Sequence, residues 1–148
     1  MTLQELHEHI RACTLCPLRM TATQPVPGFG ALGAKYMLIG EAPGVNEDEI
    51  GVPFIGMAGR RLNQLLDLAH INLNDCYLTN VIKCRPPGNK TPKKSTIKAC
   101  KPWLLEELKL VLPEIIITLG ATPLGLFTTN GVGQTHGTLF EVEIEDIW

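Results

Sequence analysis

The sequence predicts an α/β fold: a three-layer α/β/α sandwich with a central, mainly parallel sheet of four strands. Short apolar runs closed by glycine or by a polar residue alternate along the chain with longer segments of helical periodicity. Alternation of this kind produces βαβ units, whose strands lie parallel in one sheet. The 148 residues, 45% of them hydrophobic, suit one domain, and no repeat or linker divides them. We therefore expect a single domain over residues 1–148.

The elements of this fold follow from hydrophobic periodicity and from the positions of glycine and proline. In the N-terminal segment, Leu3, Leu6 and Ile10 share one helical face, and Thr2 and Glu5 have the spacing of a capping box. Glycine and proline interrupt the segment after the first strand, so it cannot form one regular element. In chain order we expect a helix over 2–12, a loop over 21–34, a strand over 35–40, an irregular segment over 41–56, a helix over 57–70, a strand over 76–83, a loop over 84–94, a helix from Ser95 to about residue 110, a strand over 114–120, a short helix over 121–127 and an edge strand over 138–144.

The composition limits the location and the partners of the protein. The net charge is −2, so a nucleic-acid partner requires a local basic surface. No apolar run approaches the roughly 20 residues of a membrane span, and the charged N-terminus lacks the apolar centre of a signal peptide. We therefore expect a cytoplasmic protein with no membrane partner. In that reducing compartment, five cysteines indicate a metal site rather than disulfides, with one thiol left over.

Four of the cysteines have a pattern that suits metal binding. Cys13 and Cys16 form a C-x2-C pair, whose two thiolates can reach one metal or cluster. Cys84 and Cys100 would supply two more ligands from elsewhere in the fold. Zinc and iron–sulfur clusters both accept four thiolates, so the spacing does not decide between them. Cys76 begins a strand and is interpreted as an ordinary buried thiol.

A glycine-rich turn follows the first predicted strand. Its sequence, G-E-A-P-G over 40–44, lies at the carboxyl edge of the sheet, where parallel sheets bind ligands. The motif continues with Glu47-Asp48, Gly51, P-F-I-G over 53–56 and Ala58-Gly59. Two further blocks are T-N-V-I-K-C-R-P-P-G-N-K-T-P over 79–92 and A-C-K-P-W-L over 99–104.

This set of motifs resembles the family 4 uracil-DNA glycosylases, the iron–sulfur, thermophile-type branch of their superfamily. The resemblance extends from about Cys13 to the final predicted strand. It implies an enzyme of base excision repair that flips uracil from DNA and hydrolyses the N-glycosidic bond. It also implies a 4Fe-4S cluster held by Cys13, Cys16, Cys84 and Cys100. Uracil-containing DNA is then the partner; a protein of the replication or repair machinery is a further possible partner that the sequence does not identify.

The resemblance also indicates a uracil pocket. Phe54 would supply the flat face on which the base stacks. The amide of Asn80 carries both a donor and an acceptor, so it can pair with N3–H and O4 of uracil and reject cytosine. Backbone groups around Gly40, Glu41 and Ala42 would contact uracil O2 and stabilise the leaving uracilate. The alternatives are core packing for Phe54 and a strand-end turn for Asn80.

Three acidic residues are candidates for the chemistry at the sugar. Glu41, Glu47 and Asp48 could position a water molecule or stabilise an oxocarbenium-like centre. For Glu47 and Asp48, a solvated loop or a helix N-terminus is an equally weighted alternative.

The segment from Lys83 to Lys101 contains basic residues and no acidic residue. A segment of this kind, placed between two cysteine ligands, suggests a loop that contacts DNA phosphates. The alternative is an ordinary solvated surface. The residues expected to contact DNA are Lys83, Arg85, Lys90, Lys93 and Lys94.

One motif of the family is missing from the sequence. The family carries a late His-Pro-Ser or similar motif after its last strand, whose histidine contributes to leaving-group stabilisation, and the chain reaches Trp148 without it. His136 stands before the last predicted strand and is not assigned that role; His7, His9 and His70 are expected at the surface. Three interpretations follow: a short glycosylase with weaker catalysis, a homologue that binds DNA or uracil without cutting, or an incomplete chain whose missing part a partner supplies.

Overall fold

The computed structural model describes residues 1–144 and 147. Its helices are α1 (Leu3–Arg11), α2 (Val45–Ile50), α3 (Met57–Leu68), α4 (Lys94–Val111), α5 (Ala121–Leu124) and α6 (Val132–Thr135). Its strands are β1 (Tyr36–Gly40), β2 (Cys76–Asn80) and β3 (Ile115–Thr118), and single 3₁₀ turns lie at Pro17–Met20, Leu73–Asp75 and Pro87–Asn89. The predicted α/β class is confirmed, and α1 begins with the predicted capping box of Thr2 and Glu5.

The strands form a parallel sheet of order β2-β1-β3, so β1 lies at the centre. Side chains alternate between the two faces of β1, as the pleat of a strand requires. Met37 and Ile39 belong to the core that contains Leu104 and Leu108 of α4. Leu38 belongs to a second core, which contains α3 residues. The sheet therefore carries helices on both faces, and α1 packs against α4.

The predicted fourth strand over 138–144 is wrong. Within the described part of the chain, the sheet has three strands. Residues 138–143 line a groove beside β3 without a regular ladder. At the start of this segment, the amide and the hydroxyl of Thr138 both donate to the carbonyl of Thr135, so they close the turn after α6. Alternation of apolar and polar residues thus does not by itself provide a strand with a partner.

Helix α1 is joined to the sheet by a hydrogen bond that the sequence did not indicate. His7, which was expected at the surface, is half-buried, and its Nε2 lies 2.8 Å from the hydroxyl of Tyr77. That hydroxyl donates to Glu107 Oε1 at 3.1 Å, so the His7 ring donates to the Tyr77 oxygen. Burial lowers the pKa of His7 below its usual 6.5, although the nearby Glu107 carboxylate opposes this. His7 is therefore held as a neutral donor.

The lowered pKa of His7 predicts a loss of stability in mild acid. The unfolded chain binds a proton at this residue more readily than the folded protein. The contribution of His7 to the free energy of unfolding is therefore fully present above pH 6.5 and decreases as the pH falls below that value. We expect the melting temperature to fall less steeply in His7→Gln than in wild type between about pH 7.5 and about pH 5.5. His9→Gln, on the exposed side of α1, is the control and should follow wild type. Equal slopes for His7→Gln and wild type would contradict this account.

Candidate active site and cysteine cavity

The carboxyl ends of β1 and β2 form a corner at which three predicted pocket residues meet. Gly40 and Asn80 end their strands opposite each other in the parallel register. A Cβ added to Gly40 would lie 2.5 Å from Asn80 Oδ1 and 2.7 Å from Cζ of Phe54. Only a glycine therefore lets the amide and the ring approach this strand end together. We call Gly40, Phe54 and Asn80 the base corner; Ala42, half-buried, follows two residues after Gly40.

Phe54 reaches this corner through an unusual backbone conformation. Its φ is +56°, a value that a bulky L-residue adopts only at a cost of about 1–3 kcal/mol. Gly59, in the first turn of α3, makes the conformation possible, because a Cβ there would overlap the carbonyl group of Phe54. The sequence contained Gly59 as part of the motif, but it gave no sign of this backbone contact.

Glu47 and Asp48 are buried and hydrogen-bond to backbone amides. The Glu47 carboxylate accepts from Gly44 N at 3.1 Å, Ile55 N at 3.0 Å and Gly56 N at 2.6 Å. It therefore ties the start of α2 to the two residues that follow Phe54. Asp48 Oδ1 accepts from Thr23 N at 2.9 Å and so fastens α2 to the preceding loop.

Glu41 differs from these two carboxylates because it is held by a side chain. Thr122 Oγ1 donates to Glu41 Oε1 at 2.6 Å. Thr122 lies in α5, directly after β3, so ends of all three strands contribute to this edge of the sheet. Among the described residues, Thr122 is the one hydrogen-bond donor to the Glu41 carboxylate, which leaves Oε2 for a water molecule or a substrate. No motif in the sequence indicated Thr122.

The amides of the three residues that follow Asn80 all donate hydrogen bonds. The amides of Val81 and Ile82 donate to the carbonyl groups of Gly40 and Glu41, at 2.9 and 3.0 Å. The amide of Lys83 donates to Cys100 Sγ at 3.3 Å. The chain from the base corner to the cysteines therefore has little freedom to move.

The expectation that Lys83 contacts DNA is wrong. Its side chain is 1% exposed and forms an ion pair with Glu107 Oε2 at 2.6 Å. A lysine is rarely buried to this extent unless an acid pairs with it, and Glu107 itself is 0% exposed. Glu107 stands 24 residues further along the chain, within helical periodicity, so the basic segment by itself could not indicate the pairing.

The other predicted DNA contacts lie at the surface. Arg85 is half-buried, and its Nε donates to Asn89 Oδ1 at 2.8 Å. Lys90, Lys93 and Lys94 are exposed, at the end of the loop and the start of α4. We call these four residues the basic surface. It follows directly in sequence after Lys83 and Cys84.

Cys13, Cys16, Cys84 and Cys100 line one small cavity, which we call the cysteine cavity. The cavity brings together the turn after α1, the segment after β2 and the middle of α4. Cys76 is 3% exposed and packs in the core beside α3, so it takes no part in this cavity. Among the described residues, no three His, Cys, Asp or Glu side chains are arranged so that they could hold a metal ion.

Two sulfur atoms of the cysteine cavity accept hydrogen bonds. The Trp103 indole donates to Cys13 Sγ at 3.2 Å, and the Lys83 amide donates to Cys100 Sγ. Burial raises the pKa of Cys84 to about 12 and that of Cys100 to about 11. Thiols of this kind become thiolates when a metal displaces their protons. The chemistry of the cavity, four thiols with N–H donors at two of them, therefore fits a thiolate-bound group.

Comparisons with known proteins identify the family of this chain. A family model for the uracil DNA glycosylase superfamily matches residues 27–146. The type-4 uracil-DNA glycosylase of Pyrobaculum aerophilum is 44% identical over 81% of this chain and 61% of its own length. That of Archaeoglobus fulgidus is 35% identical over 96% of this chain and 74% of its own length. The chain belongs to the type-4 class of the uracil-DNA glycosylase superfamily.

The chain spans less than two thirds of some of these type-4 glycosylases. Besides the 61% of the P. aerophilum protein, it covers 65% of the type-4 glycosylase of Thermotoga maritima, to which it is 41% identical over 84% of this chain. The region matched by the superfamily model contains the base corner, the basic surface, Cys84 and Cys100, whereas Cys13 and Cys16 precede it. Within residues 1–144 and 147, no helix has the length and apolarity needed to cross a membrane.

The contact between Gly59 and Phe54 predicts a strong effect of one methyl group in this type-4 chain. In Gly59→Ala the new Cβ would collide with the Phe54 carbonyl, so the loop must move. We expect the free energy of unfolding to decrease by about 1–3 kcal/mol, measured by chemical denaturation. Gly133→Ala is the matched control, because a Cβ at this helical glycine meets no atom within 4 Å. If both variants were as stable as wild type, the proposed constraint on Phe54 would be wrong.

Proposed function

We propose that the protein removes uracil from DNA by hydrolysing the N-glycosidic bond. The observation that carries this proposal is the base corner: a glycine strand end, an aromatic ring and an amide side chain meet at the carboxyl edge of the sheet. Membership of the type-4 class supports the same reaction. A base that reacts in this corner must leave the DNA stack, so the substrate nucleotide is flipped out of the helix.

Asn80 and Phe54 recognise the base in this proposal. The ring of Phe54 stacks on one face of the uracil. The Asn80 amide donates to O4 and accepts from N3–H, whereas cytosine presents the opposite pattern and leaves the amide unpaired. A site built around such a hydrogen-bond pair discriminates strongly, because the wrong base leaves a buried polar group without a partner.

Glu41 and the backbone around it act on the bond that breaks. Backbone groups of Glu41 and Ala42 contact uracil O2 and stabilise the negative charge of the departing base. The Glu41 carboxylate, held by Thr122, positions water or stabilises the positive sugar through its second oxygen. Glu47 and Asp48 act through the backbone, because Glu47 holds the loop that carries Phe54 and Asp48 fastens α2 to the loop before β1. We assign them as positioning residues.

Arg85, Lys90, Lys93 and Lys94 contact DNA phosphates in this proposal. Three of them are exposed, and phosphate contacts require only accessible cations at the surface. They place the DNA beside the base corner, since the basic surface begins five residues after Asn80. Such an enzyme would act in the compartment that holds the DNA, the cytoplasm of a cell without a nucleus.

We further propose that Cys13, Cys16, Cys84 and Cys100 hold a 4Fe-4S cluster. A cluster takes one thiolate on each of four irons, whereas zinc requires all four sulfur atoms at about 2.3 Å from one point. Four thiols around one cavity suit either group, and membership of the type-4 class, whose resemblance implies an iron–sulfur cluster, favours the cluster. When bound, the cluster supplies a rigid joint between α1, the segment after β2 and α4. No step of the hydrolysis passes through it.

The glycosylase proposal is tested on a labelled oligonucleotide that contains one uracil. We expect wild type to leave an abasic site that alkali cleaves, and Asn80→Ala to lower the excision rate by about a hundred-fold or more. Asn74→Ala, an exposed asparagine just before β2, should keep the wild-type rate. DNA binding without any scission, with enzyme in excess over substrate, would show a non-catalytic DNA-binding homologue instead.

The cluster proposal is tested on protein purified without oxygen. We expect a brown protein that absorbs at about 400 nm and contains iron and sulfide in equal amounts. Cys100→Ala should lose this absorbance, while Cys76→Ala, the matched buried cysteine outside the cavity, should retain it. A colourless wild-type protein with one zinc ion per chain would contradict the proposal.

A further inference from the structure

Lys83 is a buried cation that touches both the strand of the base corner and the cysteine cavity, and the reaction does not use it. We propose that Lys83 is a positioning residue: its side chain fixes the main chain of Asn80, and its backbone fixes Cys100, so that the cysteine cavity sets the position of the base-reading amide. This inference rests on the proposed reading of uracil by Asn80. It concerns a residue that the sequence motif suggested only as a DNA contact.

All three protons of the Lys83 ammonium group have acceptors. They go to Thr79 Oγ1 at 2.6 Å, to the Asn80 carbonyl at 2.8 Å and to Glu107 Oε2 at 2.6 Å. Two of these acceptors belong to consecutive residues at the end of β2. The ammonium group therefore holds the Asn80 peptide through its carbonyl group, and it leaves the Asn80 side chain available.

The backbone of Lys83 is held at the same time by two other parts of the chain. Its amide donates to Cys100 Sγ at 3.3 Å, and its carbonyl accepts from Val26 N at 2.6 Å. Cys84 follows it directly. A displacement of the cysteine-bearing segments would move Lys83, and the two hydrogen bonds from its side chain to Thr79 and Asn80 would transmit that movement to the end of β2.

Glu107 explains why a cation is needed at this position. Its carboxylate also accepts from Gly28 N at 2.7 Å, from Thr79 Oγ1 at 2.7 Å and from the Tyr77 hydroxyl. A neutral residue at position 83 would leave a fully buried carboxylate without its counter-charge and would leave the Asn80 carbonyl without its donor. These two losses can be separated, because Glu107→Gln removes the charge, keeps one oxygen that can accept from Gly28 N and the Tyr77 hydroxyl, and turns an NH2 group toward Thr79 Oγ1, which can accept from it once Lys83 is replaced.

The test therefore compares Lys83→Met, Lys83→Met with Glu107→Gln, and the control Lys109→Met. Lys109 forms an exposed ion pair with Glu106 on the same helix, so its loss removes a lysine without touching the buried network. Each iron-loaded protein is measured for melting temperature, for absorbance at about 400 nm, for kcat and KM on uracil-containing DNA, and for amide hydrogen exchange over residues 80–84.

We expect Lys83→Met to melt at a lower temperature and the double variant to recover much of that loss. The double variant should still show a kcat lower by about a hundred-fold, with KM close to wild type because the basic surface is intact. Amide exchange over 80–84 should be faster in both, and absorbance per chain should be retained. Lys109→Met should match wild type in every measurement.

Two results would overturn the inference. A double variant with the wild-type kcat would show that Lys83 only neutralises Glu107. Unchanged amide exchange over residues 80–84 in the double variant would show that Lys83 does not hold the Asn80 main chain. The exchange measurement needs no catalysis, so it decides the role of Lys83 even if wild type releases no uracil, in which case the proposed reaction fails by itself.

Discussion

The buried ion pair of Lys83 and Glu107 is the interaction on which the rest of the structure depends. Both side chains are almost fully removed from solvent, and removing one partner of such a pair typically costs about 3–5 kcal/mol. The cost of burying the charges is offset because both groups have several hydrogen bonds. Through these bonds the pair joins α4, β2 and the loop before β1, and through Tyr77 it reaches His7 of α1.

This network places the candidate site on rigid elements. The base corner lies at the ends of two paired strands, and the aromatic ring is brought there by a loop that the Glu47 carboxylate holds together. Each polar group around the base corner thus either belongs to a strand or helix or is hydrogen-bonded to one. Precise positioning of this kind is what hydrolysis of a glycosidic bond requires, because small displacements of the reacting groups cost much of the rate.

Much of the fold could be predicted from the sequence, because its signals are local. Apolar runs gave the three strands to within a few residues, and the spacing of Thr2 and Glu5 gave the start of α1. The strand predicted over 138–144 was wrong because pairing depends on a neighbouring edge, which no local pattern contains. The four cysteines lie around one cavity as expected, whereas their role as cluster ligands stays a prediction.

The candidate site could be predicted in part. The motif contains Gly40, Phe54 and Asn80. It could not indicate the hydrogen-bond partners of Lys83 and Glu41, because those partners come from distant segments of the chain. Lys83 was assigned to the surface because its neighbours in sequence are basic, while its actual partner is Glu107 on α4. Thr122 reaches Glu41 across 81 residues of chain, and a threonine after a strand carries no signal of that contact.

The most direct test of this account is a crystal structure of the iron-loaded protein with free uracil. The account predicts uracil stacked on Phe54, with its N3–H and O4 on the Asn80 side-chain amide, and with Lys83 Nζ still bonded to the Asn80 carbonyl. Uracil bound elsewhere, or bound in the corner without a hydrogen bond to Asn80, would contradict it.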